Sequence, residues 1–256
     1  MHPQTATPHR LEIFSIAGLP EISPGAPLAE LLWQSLQENT LGLQDGDILV
    51  VAQKVVSKAE GRLVELSRVE PSAVAESLAR TLEKDPRHLE VILRESRRIV
   101  RMDAGLVIAE THHGFICANA GVDTSNVPAG WVALLPTDPD LSAQRLQEEI
   151  AQQSGRHTAV VISDTFGRPW REGLTNVAIG VAGFRPLLDY RGQSDGQGHT
   201  LAATVIALAD ELAAAAELVM GKTSRRPAAI IRHFPWVQAA GKAAELIRAR
   251  EKDLFR

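Results

Sequence analysis

Three short apolar runs constrain this chain most: "DILVVA", "TAVVIS" and "AAIIRHF". None alternates polar with apolar residues, and each is too short for an apolar helix. Runs of this kind read as buried strands. Other segments follow different periods. "LEIFSIAG" reads as a strand closed by the turn-forming "GLPEISPGAP", and Leu28, Leu31, Leu32 and Leu36 then recur at helical spacing behind Pro27. "RLVEL" and "WVALLP" read as further strands, residues 72–84 and 87–98 as helices with Pro86 between them, and residues 141–153 as an amphipathic helix. "GLVIAE" and "FICANAG" flank "THHG" as a hairpin. A Gly-rich stretch, "RGQSDGQGHT", precedes an Ala-rich helix expected over 201–220, and 242–256 reads as a terminal helix. Strands and helices are mixed without regular βα alternation, which favours α+β over a doubly wound sheet.

The 256 residues suffice for a sizeable core: residues 1–10 read as a flexible tail and 11–256 as one domain, open to division into two lobes. With 45% hydrophobic and 23% charged residues the composition is that of a soluble globular protein, and a net charge of −4 implies no broad attraction to nucleic acid or anionic membrane. Any anion must therefore be held by a local cluster. The first ten residues lack the apolar core of a secretory signal, and the Ala-rich helix carries Asp210, Glu211 and Glu217, which argues against a membrane span. The single Cys117 forms no internal disulfide and suits a reducing cytoplasm, where it reads as a small buried hydrophobe. A phosphate loop, a G-x-G-x-x-G turn and a G-x-S-x-G elbow are missing.

Three clusters carry candidate chemistry. In "SDTFGRPWREG", Asp164 at a strand end can bind a hard cation, and Thr165 can add a hydroxyl or carbonyl oxygen. Arg168 and Arg171 can grip phosphate or carboxylate in a fork. A loop-capping Asp beside surface arginines is the plainer account. In "ANAGVDTSNVP", Asp123 and Asn126 suit Mg²⁺ or Mn²⁺, while an Asx turn is the plainer account of them taken alone. In "VVAQKVVSKAEGR", Lys54 and Lys58 follow a buried strand, as phosphate contacts or as solvated lysines. His112 and His113 are neighbours at a hairpin tip, poorly placed to share an ion.

Taken together, "GLPEI", "VVSKAEGR", "NAGVDTSN", "SDTFGRPWR" and "ADELAAAAELVMGK", in that order from about Gly18 to Lys222, resemble the coenzyme F-420:L-glutamate ligases, the γ-glutamyl ligases that act on a deazaflavin coenzyme precursor. The resemblance implies an α+β fold with a mixed sheet, distinct from P-loop and Rossmann folds, in an intertwined cytoplasmic homodimer. It implies ligation of L-glutamate to the precursor, with GTP as co-substrate, an acyl-phosphate intermediate, and GDP and phosphate as products. Mg²⁺ or Mn²⁺, with K⁺ as an additional cation, would accompany the nucleotide. By the same resemblance Asp123, Asp164 and Thr165 would hold metal, and Asn126 would contact the nucleotide. Leu19, Pro20, Glu21, Ile22, Gln53, Lys54, Lys58, Met220, Gly221 and Lys222 would line the GTP site. Asp164, Arg168 and Arg171 would act on the reacting groups, with Trp170 or Phe166 against the flat deazaflavin or guanine. A metal-dependent phosphohydrolase and a non-catalytic nucleotide-binding protein are the rival readings. Two positions depart from the family pattern: Gln53-Lys54 stands where small hydroxyl residues are expected, and Lys222 where a metal-binding glutamine is expected. An ammonium cannot ligate a cation.

Overall fold

The computed structural model describes residues 10–103 and 105–254. Except for Arg10, the expected tail lies outside the described residues. In chain order the elements are β1 (Glu12–Ile16), α1 (Leu28–Glu38), β2 (Ile48–Ala52), α2 (Gln53–Ala59), β3 (Leu63–Glu65), α3 (Ala73–Leu82), α4 (Pro86–Arg94), β4 (Ser96–Asp103), β5 (Leu106–Thr111), β6 (Ile116–Ala118), β7 (Trp131–Ala133), α5 (Pro139–Ser154), β8 (Ala159–Arg168), β9 (Arg171–Ala182), β10 (Leu188–Asp189), β11 (Val205–Ile206), α6 (Leu208–Met220) and β12 (Ala228–Arg232). The fold is α+β, as expected.

The three apolar runs become β2, β8 and β12, and they sit inside a five-stranded mixed sheet of order β1-β12-β2-β8-β9. Only β2 and β8 run parallel within it; the other neighbours are antiparallel. Because strand side chains alternate between faces, an unbroken apolar run needs cover on both sides. Leu49, Val51, Val160, Ile162 and Ile230 point to a core shared with α1 and α5. Ile48, Val50, Val161, Ala229 and Ile231 point to a second core under α6. The α5–sheet contact is close. A Cβ on Gly180 of β9 would stand 2.2 Å from the Pro139 carbonyl oxygen, so glycine is required there. Asp138 caps α5 by accepting from Leu141 N–H at 3.0 Å, and Pro139 follows at the first helical position.

A third core joins α3 and α4 to the sheet β4-β5-β6 and the pair β3-β7, through Leu89, Ile92, Val107, Ala109, Val122 and Val132. This unit stands across from the carboxyl ends of β2 and β8, touching them through β6 and α2.

Four local expectations are corrected. "SDTFGRPWREG" is not a loop past a strand: β8 runs on to Arg168, and β9 begins at Arg171. The turn is Pro169-Trp170 alone, with Trp170 at φ 58°, as a type II turn demands after proline. The helix expected over 201–220 begins only at Leu208, because Val205–Ile206 pair instead with Leu188–Asp189. The helix expected over 87–98 stops at Arg94, and residues 96–103 form the unanticipated strand β4, paired with β5. The terminal helix is replaced by single 3-10 turns at Ala243–Leu246 and Arg250–Lys252. The Asp140 carboxylate accepts from Ala243 N–H at 2.7 Å and binds this segment across the body, overriding helix propensity.

Candidate functional site

The site is built where two parallel strands end side by side. Ala52 of β2 pairs with Ser163 of β8, so Lys54 and Asp164 emerge at the same edge. Carboxyl ends of parallel strands are where open sheets place their ligands. Asp123 enters from the third-core unit. It is anchored by two hydrogen bonds to Ala133 and preceded by Asn119, Ala120 and Gly121 with φ of 50°, 52° and 75°. Two successive non-glycine residues in the left-handed region are costly and persist only where the surroundings impose them. Gly121 has no alternative, since a Cβ there would lie 2.6 Å from Leu135.

Asp123 accepts from Ser125 N–H at 2.7 Å, from the Ser125 hydroxyl at 2.8 Å and from the Lys54 ammonium at 2.5 Å; Lys54 also donates to Ser125 Oγ. Burial works against the Asp123 charge, but Lys54 and Ser125 outweigh it and hold the carboxyl below its ordinary range. Asp164 responds oppositely. Burial, reinforced by the charge of Asp123, pushes its carboxyl up to about 6, against the Thr165 N–H, Lys54 and Lys222. The two acids are thus close enough to repel, with unequal support.

Thr165 and Asp164 project to opposite faces of β8. The Thr165 hydroxyl donates to Asn176 Oδ1 at 2.7 Å on β9 and accepts from the Lys222 ammonium at 2.5 Å. Lys222 also lies 3.1 Å from Glu217 Oε1, and Asn176 Nδ2 donates to Glu217 Oε2 at 2.9 Å. Lys222 reaches this group because α6 ends at Gly221, whose φ of 61° turns the chain back. On the other flank Lys58, 7% exposed, pairs with Glu21 and ties the Leu19–Ile22 segment to α2. Ile22 is buried in the first core and Leu19 packs on it, while Pro20 is exposed.

Lys54, Asp123 and Asp164 are therefore brought together, with Thr165 and Lys222 behind the strand. Other expected residues are not. Gln53 turns into the interior, its amide donating to Ser57 Oγ at 2.6 Å and to the Leu134 carbonyl at 3.0 Å. Met220, the last residue of α6, is buried in the second core. Asn126 is exposed in its turn at φ 54°. Arg168 and Arg171 face each other beside the hairpin turn, and four strand residues put Arg168 ~13 Å from Asp164. Arg168 donates to the Glu172 carbonyl at 3.1 Å. His112 and His113 bond separate carbonyls, those of Arg94 and Pro136, each at 2.9 Å. Burial pushes the Cys117 thiol up to about 12, as befits an inert buried group. Sequence reasoning missed Ser125, Asn176 and Glu217. Only the β8–β9 register sets Asn176 opposite Thr165.

Among the described residues no group of three or more His, Cys, Asp or Glu converges as a metal cage. The donor set still suits a hard cation. Two carboxylates repel across the site, and Mg²⁺ is commonly held by one or two carboxylates completed by substrate phosphates. No helix among the described residues is long and apolar enough to cross a membrane.

An α+β protein with paired acids and lysines gathered at the ends of β2 and β8 has the equipment to handle an anionic substrate with a cation. Comparison with known proteins makes this specific. A family model described as F420-0:Gamma-glutamyl ligase matches residues 18–233. The coenzyme F420:L-glutamate ligase of Methanothermobacter thermautotrophicus is 45% identical over 249 residues, covering 96% of this chain and 99% of that protein. That of Methanopyrus kandleri is 46% identical over 241 residues, 92% and 94% of the two chains, and that of Haloarcula marismortui 42% over 253 residues, 96% of each. The chain belongs to the F420-0:γ-glutamyl ligase family.

Proposed function

We propose that this protein ligates L-glutamate to the unglutamylated, deazaflavin-bearing precursor of coenzyme F420, using GTP. A carboxylate is a poor electrophile, so an amide forms only after activation. In this reading the precursor carboxylate attacks the γ-phosphorus and GDP leaves, giving an acyl phosphate. The glutamate ammonium gives up one proton, the free amine attacks the acyl carbon, and a second proton leaves the nitrogen as phosphate departs, so the amide keeps one N–H. The observation that carries the reading is the meeting of Lys54, Asp123 and Asp164 at the ends of β2 and β8.

Asp123 and Asp164, with an oxygen of Thr165, would hold Mg²⁺ or Mn²⁺; a K⁺ ion belongs to the same reading. When bound, the divalent ion supplies positive charge to the phosphoryl group in transfer. Lys54 and Lys58 then serve as point charges on the nucleotide phosphates, and Lys54 also holds Asp123 in its ionised form. Leu19, Pro20, Glu21, Ile22, Asn126 and Gly221 would border the nucleotide, with Lys222 turned to its phosphates. The reading includes a cytoplasmic homodimer. It is supported by a long β8–β9 hairpin that presents Leu174, 69% exposed, and Trp170, 78% exposed, along the free edge of the sheet. In such a dimer Arg168 and Arg171 reach substrate from the partner's side of the interface.

The test is mass spectrometry of products from purified protein, GTP, Mn²⁺ or Mg²⁺, glutamate and precursor, with each component omitted in turn. A mass gain of one or more glutamyl units that requires all of them is the expected result. Phosphate release without an amide product would instead identify a phosphohydrolase. Nucleotide binding without turnover would identify a binding protein. Light scattering checks the dimer.

A further inference from the structure

A cavity of about 240 Å³ opens along the β9 edge of the sheet, on the side away from β2 and Lys54. Its walls come from distant parts of the chain: Phe115 at the β5–β6 turn, Phe166 on β8, Val177 on β9, Asp210 in the first turn of α6, and Ile247 and Arg248 from the C-terminal segment. Phe115 and Phe166 meet edge to face, with centroids 6.3 Å apart and planes at 72°. Ile247 closes one side over Gly114, where a Cβ would stand 3.3 Å from its Cδ1. The cavity is thus apolar and aromatic-walled, with one acid and one guanidinium.

Asp210 is the informative group. Its Oδ1 accepts from Ala178 N–H at 2.9 Å, which satisfies an outward-facing donor of the edge strand. Among the described residues its Oδ2 has no hydrogen-bond partner, and burial raises its carboxyl above the ordinary range. A half-buried acceptor on an aromatic-walled cavity suits a planar ring that carries an N–H. Arg248 at the rim supplies donors for the carbonyls of such a ring. Position adds a second argument. Phe166 and Asp164 share a face of β8 two residues apart, ~7 Å along the strand. The lysine-rich flank lies towards β2 and this cavity towards β9, so Asp164 stands between them. An enzyme that transfers a phosphoryl group between two large substrates needs that division.

We infer that this cavity is the subsite for the heteroaromatic ring of the acceptor substrate, the deazaflavin of the precursor. Asp210 Oδ2 accepts the ring N–H, Arg248 meets the ring carbonyls, and Phe115, Phe166 and Ile247 form the walls. The assignment rests on the ligase reading for the identity of the ring, and the test separates the two. The probe is the deazaflavin riboside lacking the phosphate-linked arm, titrated by its own fluorescence without nucleotide. GTP affinity is measured in parallel in the presence of Mn²⁺. Ile247→Trp, which fills the cavity, should weaken chromophore binding at least ~10-fold, as the large side chain occupies the ring's place. Asp210→Asn retains an acceptor for Ala178 N–H and should weaken binding ~5-fold or more by turning a donor towards the ring N–H. Both should leave GTP affinity within about twofold, since no phosphate contact is altered. If Ile247→Trp fails to fold, Asp210→Asn carries the test. Chromophore affinity unchanged in the folded variants overturns the assignment, and so does native protein that binds no chromophore. Loss of GTP affinity in its place overturns it too and assigns the cavity to guanine. If native protein glutamylates precursor while the variants bind chromophore normally, only the subsite is wrong. If native protein binds chromophore through these residues but never forms an amide, only the ligase reading is.

Discussion

Replacing Asp164 with asparagine should stabilise the protein at pH 8 in the absence of divalent metal, while abolishing most of its activity. The Asp164 carboxyl stands at about 6 in the folded chain against 3.8 for the free side chain. Between those values the folded state binds the extra proton, so stability falls as pH rises and the loss is complete above about pH 7. A difference of about two pH units at 1.36 kcal/mol each is worth at most ~3 kcal/mol, and less where water screens the charge. Asparagine cannot ionise, and its amide oxygen can still accept from Thr165 N–H, which Asp164 holds at 2.8 Å. The variant should therefore match the native protein near pH 4 and exceed it at pH 8, by roughly 5–10 °C in melting temperature for a chain of this length. Urea unfolding in EDTA at both pH values measures the same difference directly. Mn²⁺ or Mg²⁺ should then reverse the order. An ion at 100 times its Kd adds ~2.7 kcal/mol to the native protein and much less to the variant. Equal or lower stability of Asp164→Asn at pH 8 in EDTA would refute the reasoning, because Asp164 would then not be a charge held at a cost. Turnover should fall ~10²-fold or more, as expected when a charge-stabilising group is removed.

Three further outcomes are expected. Asp47→Ala should cost about 3–5 kcal/mol in urea unfolding, because Asp47, 1% exposed, receives both prongs of Arg232 at 2.8 and 2.9 Å and its loss strands a guanidinium. Gly180→Ala should cost about 1–3 kcal/mol or more by thermal melting, since the new methyl must displace the start of α5 from β9. Lys222→Gln should weaken GTP binding at low metal with partial rescue at high metal, followed by calorimetric titration; affinity unchanged across the titration would confine Lys222 to its contacts with Thr165 and Glu217.

Several features were legible in the chain before folding because their causes are local. The apolar runs at β2, β8 and β12 declare buried strands by period alone, whereas the caps that start α4 at Asp85 and α5 at Asp138 emerged only in the structure. The acids and lysines of the site were visible as clusters, and their order along the chain carried the family resemblance. Tertiary structure decided what those clusters do to one another. Asp123 reaches Lys54 across 69 residues only because the left-handed turn at Asn119–Gly121 swings it out of the third-core unit. The direction of Gln53, inward to Ser57 and Leu134, follows from burial at the start of α2, which no residue type announces. The "SDTFGRPWREG" segment became a hairpin, and not a loop, because β9 was available to pair with it. The cavity at Asp210 has no sequence signature, since its walls come from five separate segments. Local preferences depend on neighbours within a few residues. Strand order, register and the facing of side chains depend on the burial summed over the whole chain, and that sum exists only once the chain has folded.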